Sequence, residues 1–235
     1  MKFKIVILLF IILSISAIIS NYVIIDNKIY KTDVKQLHIY SLSNSEIKEI
    51  NKCDNIKILS ISDIRENQVS KFNSLSNLEI LILNDAILCS EDTKNLSTFT
   101  KLNQLYISLN STIDFSGLSN KNVKLITLYQ SNAENLKSLI ECESLVSLEI
   151  YKSTVSDNYI VKENGKYILK DSSVFSSLDN LVFLAVTIDK IEDISGILEM
   201  DSLKTFCVAK DSISETDEKL LGDKGISIVY YGENE

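Results

Sequence analysis

Apolar residues recur along this chain with the spacing L-x-x-L-x-L. The spacing begins at Val34, Ile56, Leu78, Leu102, Val123, Leu145, Leu181 and Leu203, and in degenerate form at Ile226, in steps of 22, 22, 24, 21, 22, 36, 22 and 23 residues. The clearest copy is Leu145, Leu148 and Ile150. A near-constant step of this size is the mark of a solenoid. A second pattern precedes the first: apolar residues three places apart, as in Ile47-Ile50-Cys53, Val69-Phe72-Leu75, Leu136-Leu139-Cys142 and Ile194-Ile197-Met200. Alternation predicts a short strand with every other side chain inward. Period three predicts a short helix or 3₁₀ segment burying one stripe. Each repeat is therefore a strand, a turn and a short convex segment, and neighbours must stack to close a shared core.

The pattern resembles the leucine-rich repeat family. The 22-residue step, with phrases such as Ile194-Ser195-Gly196-Ile197, is similar to its internalin-type bacterial branch, and the resemblance runs over roughly residues 30 to 231. It implies an α/β solenoid: a horseshoe with a parallel concave sheet and short convex helices or 3₁₀ segments. The family carries an asparagine ladder at the eighth place after each triad start. Here Asn110 matches, Ser131, Ser153, Asp189 and Asp211 substitute, and Leu42, Ile64 and Ala86 do not. The first three turns are accordingly expected to be less regular. The chain has no proline, so the proline-containing sorting motif of wall-anchored internalins is missing from it.

Before the repeats, Lys2 and Lys4 precede an apolar run from Ile5 to Ile19. That is the form of a secretory signal over residues 1–20, or of an uncleaved membrane anchor that could extend to residue 25. Either reading places the repeats outside the cytoplasm, secreted or tethered. Tyr22-Val23-Ile24-Ile25 and Lys28-Ile29-Tyr30 flank Asp26-Asn27, which predicts a capping β-hairpin over residues 22–33. Repeats then occupy 34–231, and a polar tail follows at 232–235. The 36-residue step carries an insertion over 157–172, where Asn164-Gly165 separates two β-rich runs. This is a second predicted hairpin. Three readings fit it: a partner contact that walls the neighbouring concave face, a neutral loop insertion, or a degenerate repeat.

Net charge is −8, with no basic cluster, which argues against nucleic acid and anionic lipid headgroups as partners. The four cysteines fall on scattered repeats, so four free thiols are expected. One histidine, no C-x-x-C, no calcium-loop spacing and no glycine-rich phosphate loop leave no metal site, no cofactor and no catalytic residues to nominate. What remains is the concave sheet. Its outward positions bring together Tyr106, Thr127, Tyr129, Glu149 and Tyr151, with Tyr129 and Tyr151 on adjacent strands. Tyrosine is enriched at recognition surfaces, but cross-strand aromatic pairs also simply stabilise sheets. Two functions fit: a non-catalytic module that binds a protein or glycan on its concave face, or a structural envelope protein that self-associates.

Overall fold

A computed structural model describes residues 21–72 and 74–231. The signal or anchor expected over residues 1–20 and the tail at 232–235 lie outside the described residues. Among those described, no helix is long and apolar enough to cross a membrane. Tyr22–Ile25 is a strand, β1, that pairs antiparallel with β2 (Lys28–Lys31). Asp26 and Asn27 turn the hairpin with φ of 53° and 58°, as a two-residue loop between twisted strands requires. Val23 and Ile25 point into the core, and the Asp26 N–H donates to Glu46 Oε1 at 3.2 Å. The hairpin thus closes the end of the solenoid over the first convex helix, Asn44–Ile50.

The concave sheet has nine parallel strands among the described residues. They are β3 (Gln36–Ile39), β4 (Ile58–Ser62), β5 (Ile80–Asn84), β7 (Gln104–Ser108), β9 (Leu125–Tyr129), β11 (Ser147–Tyr151), β15 (Phe183–Thr187), β17 (Thr205–Ala209) and β18 (Ser227–Tyr231). In β4 to β11 every second residue is fully buried, and these are the L-x-L positions of the repeat. Convex segments are either short α-helices, such as Ser90–Leu96, or 3₁₀ turns, such as Leu136–Glu141. Where two of them meet, glycine is obligatory. A Cβ on Gly196 would stand 2.2 Å from the Ser172 carbonyl oxygen.

A second sheet runs along the flank: β6 (Ile87–Leu88), β8 (Thr112–Asp114), β10 (Asn132–Glu134), β12 (Thr154–Val155), β13 (Ile160–Glu163), β14 (Lys166–Leu169) and β16 (Lys190–Ile191). The insertion belongs to this sheet. β13 and β14 form the Asn164-Gly165 hairpin, with φ of 50° and 81° at its tip. Between β11 and β15 the concave sheet advances by one strand, while the flank advances through β12, β13, β14 and β16. Ile160 and Leu169 are buried, so the hairpin adds core as well as width.

Three register expectations are corrected. The last repeat is shifted by one residue. Phe206 pairs with Ile228 and Val208 with Tyr230, so Ile228 and Tyr230 face the core, while Val229 and Tyr231 face outward. The polar ladder uses Ser111 and Ser212 in place of Asn110 and Asp211. Those two turns each carry one more residue before the buried position, and Asn110 and Asp211 take positive φ at the surface. In the following turns Ser153 Oγ accepts the Ser131 N–H at 3.1 Å and donates to the Tyr151 carbonyl at 2.9 Å. The second and third turns are not irregular. Asp63 and Asp85 adopt the same left-handed conformation as Gln130 and Lys152, and Ile64 and Ala86 enter the core where a polar ladder residue would sit.

Candidate functional site

Strand alternation leaves three outward columns on the concave sheet, and the strand register fixes which residues are neighbours. Tyr151 lies directly beside Tyr129, and Glu149 beside Thr127, which in turn lies beside Tyr106. The five residues singled out by the sequence therefore form one patch across β7, β9 and β11. Thr127 Oγ1 donates to Glu149 Oε2 at 3.1 Å, and the Tyr151 hydroxyl reaches the same oxygen at 3.4 Å. The Tyr106 hydroxyl donates to Gln104 Oε1 at 3.0 Å.

Sequence reasoning missed Tyr231, because the last repeat was read one residue out of register. Its ring stands 5.4 Å from that of Tyr151, tilted by 53°. Two strands, β15 and β17, separate the strands that carry them. The rings meet because the outward residues between them are small: Thr187 and Ala209 in the same column, Ala185 and Cys207 in the next. These outward positions are covered as a result. Ala185 is 0% exposed, Cys207 6% and Thr187 8%. The Thr187 hydroxyl is buried with no hydrogen-bond partner among the described residues.

The tyrosine pair forms one wall of a concave cavity of about 460 Å³, lined by Ile82, Tyr106, Thr127, Tyr129, Tyr151 and Tyr231 together with Ile107 and Ser108. A volume of that order suits a ligand group or several side chains of a partner. No residue of the inserted hairpin lines it. Asn164 and Gly165 sit at the tip of the flanking sheet, so the expectation that this hairpin walls the tyrosine patch is corrected. The physical reason is connectivity: the insertion follows β12, after the chain has already left the concave face.

Charge is nearly absent here. Across the outward positions of the nine strands, Glu149 is the one Asp, Glu, Lys or Arg, although such residues make up 24% of the chain. Burial first, and the Glu149 charge second, push the Tyr106 and Tyr151 phenols above their ordinary value of 10.0. Both hydroxyls therefore remain protonated donors throughout the physiological range. Because the folded state holds these protons more tightly than the unfolded chain, their contribution is intact below about pH 10 and is lost as pH rises beyond it. A tyrosinate absorbance titration should show Tyr106 and Tyr151 ionising above pH 10. In the Tyr151→Phe variant the highest-pH part of the native titration should vanish, and its persistence would count against the buried phenol.

The four cysteines are free. Cys53, Cys142 and Cys207 are buried, and Cys89 is half-buried at the start of helix Ser90–Leu96. Burial pushes the Cys142 thiol up to about 11 and raises those of Cys53 and Cys207. A thiol reagent applied to native protein should modify Cys89 and spare the other three. Replacing Tyr151 and Tyr231 together by Ala should speed modification of Cys207 by at least about tenfold, since local cover sets its accessibility. Equal Cys207 rates in the two proteins would mean that the rings do not cover the thiol.

No protein-family model matches the sequence, and no curated protein matches it. Solved structures do. Internalin C2 of Listeria monocytogenes is similar with a TM-score of 0.57 and 16% identity, over 87% of this chain and 85% of that one. The internalin InlF of the same organism gives 0.39 and 14%, over 86% and 83%. The plant peptide hormone receptor RGFR1, in complex with RGF2, gives 0.47 and 14%, with 85% of this chain lying on 32% of the receptor. At these identities the likeness speaks to fold. Together with the nine-strand register and the repeat step, it makes this chain a leucine-rich repeat solenoid with an internalin-like fold.

Proposed function

We propose that the chain is a non-catalytic binding module that holds a protein partner on its concave face, centred on Tyr106, Thr127, Tyr129, Glu149, Tyr151 and Tyr231. The observation that carries this reading is the cavity of about 460 Å³ lined by four tyrosines on a face otherwise almost free of charge. Clustered aromatic rings with hydroxyls fixed as donors supply apolar area and polar anchoring together, the combination found at binding hot spots. A glycan could stack on the same rings, but the half-buried Ile58, Ile80 and Leu125 positions along the face favour apolar protein side chains. The Lys2–Lys4 start and the apolar run to Ile19 support an extracytoplasmic setting, secreted or tethered.

The test is photo-crosslinking capture on producing cells. Wild type would be compared with a variant in which Tyr106, Tyr129 and Tyr151 are replaced by Ala, after circular dichroism confirms that the variant is folded. Loss of two or more hot-spot rings should reduce capture by at least about 30-fold. Undiminished capture would move the site off the concave face. A second reading, self-association, has its own observation. The cap hairpin exposes the cross-strand pair Ile24 and Ile29 at 63% and 72%, and β18 is the last strand of the concave sheet among the described residues. A concentration-dependent oligomer that survives loss of the tyrosines would favour it.

A further inference from the structure

Glu149 is an unusual residue to find on this face. It is the one carboxylate among the outward positions of the concave strands, it lies beside Thr127 and two places before Tyr151 on β11, bordering the residues that line the cavity, and no ion pair joins it to any described lysine or arginine. Oε2 accepts from Thr127 and, at longer range, from Tyr151, while Oε1 accepts from no described residue. An ionised carboxylate has about four acceptor sites, so at least half of its capacity is directed to solvent or to a ligand. The rim of the face carries lysines at Lys124, Lys152, Lys204 and Lys210, which belong to the turns and loops flanking the strands. At the two phenols and at the Cys207 thiol, Glu149 is nonetheless the formal charge that acts.

Resting on the binding role proposed above, we propose that the cavity recognises a basic side chain of the protein partner, for which the guanidinium of an arginine is the best fit. Three properties of the site select it. Tyrosine faces attract a cation through their quadrupoles, more strongly where water is excluded. A planar guanidinium stacks on such rings and donates along its edge to a carboxylate, which a quaternary ammonium, having no N–H, cannot do. The near-absence of other charge means that a single cation, rather than a basic stretch, is matched by the single carboxylate. The cavity, at about 460 Å³, leaves room for the alkyl stem and the adjoining partner residues against Ile82 and Tyr231.

The probes are N-acetyl-arginine methylamide and its neutral isostere N-acetyl-citrulline methylamide. They would be titrated into the folded protein while the tyrosine ring resonances are followed by NMR. The arginine amide is expected to move the rings of Tyr106, Tyr129, Tyr151 and Tyr231 saturably, and at least about tenfold more tightly than the citrulline amide. In Glu149→Gln, which keeps an acceptor for Thr127 and Tyr151, the two probes should become equivalent. Equal binding of both probes by wild type would overturn the inference, as would an arginine preference that survives Glu149→Gln. Tetramethylammonium binding more tightly than the arginine amide would overturn it in favour of a headgroup-like cation. These outcomes are separate from those of the capture experiment. Capture lost on removing the tyrosines, with no arginine preference, leaves the binding face standing and removes the cation. An arginine preference with capture unaffected does the reverse.

Discussion

Leu148→Asp is expected to unfold the middle of the solenoid. Leu148 is 0% exposed and lies between Ile126 and Leu184 on the core side of β11. Removing its side chain forfeits about 1.5–3 kcal/mol of apolar burial. Placing a carboxylate there adds several kcal/mol more, because no described partner stands ready to pair with it. The sum is comparable with the whole stability of an ordinary domain, about 5–15 kcal/mol. A solenoid concentrates such damage, since each repeat is held mainly by its two neighbours. The measurement is a thermal melt followed by circular dichroism, with Ser147→Asp as the control. Ser147 is the neighbouring outward residue and half-buried, so its variant should change stability by no more than about 1 kcal/mol. An unchanged melt for Leu148→Asp, or equal losses for the two variants, would contradict the repeat register.

That register was legible in the sequence because one face of each strand is buried, and a slip by one residue would put every leucine into water. Where both faces are apolar the same logic loses its grip. In Ile228-Val229-Tyr230-Tyr231 either alternation supplies two hydrophobic residues, and the two alternations place Tyr231 on opposite faces. The spacing held the answer. A step of 22 residues from Leu203 falls on Gly225, and the strand pairs accordingly, with Gly225 at φ 86° preceding it. The ladder failed for a related reason. Counting eight places assumes turns of constant length, and the turns at Asn110 and Asp211 are one residue longer before the buried serine. The hairpin at Asn164-Gly165 was legible from its turn chemistry, but its destination was not, because which sheet an insertion joins depends on where the chain stands when the insertion begins. The patch itself followed from column arithmetic. Its closure by Tyr231 over Ala185, Thr187 and Cys207 required the three-dimensional reach of two rings across small residues.

The other large effect should come from a polar residue. Asp92→Leu is expected to cost roughly 3–5 kcal/mol, the range for removing one partner from a buried charged network. Asp92 is 0% exposed although it is ionisable. Its Oδ2 accepts from the Asn67 N–H at 2.8 Å and the Cys89 N–H at 3.3 Å, and its Oδ1 from the Val69 N–H at 3.2 Å. Two of these donors belong to the preceding repeat and one to the cap of its own helix, so a single carboxylate ties two convex segments together. Leucine fills the space but leaves all three N–H groups without their acceptor, at about 1–3 kcal/mol where water cannot enter, as at the buried Val69. Asp92→Asn should fall between, since the amide keeps one acceptor oxygen. Asp193 makes the equivalent tie further along, accepting from the Ser172 N–H and Oγ, each at 2.7 Å. Although burial pushes its carboxyl up, hydrogen bonds from Ser172 and Ser195 hold it below the ordinary 3.8. Its contribution is therefore complete above that pH and is lost as acid takes the solution below it. Urea unfolding of wild type, Asp92→Asn and Asp92→Leu at neutral pH should rank in that order. A Leu variant as stable as wild type would show that the repeats are joined by apolar stacking alone, with the buried carboxylates as passengers.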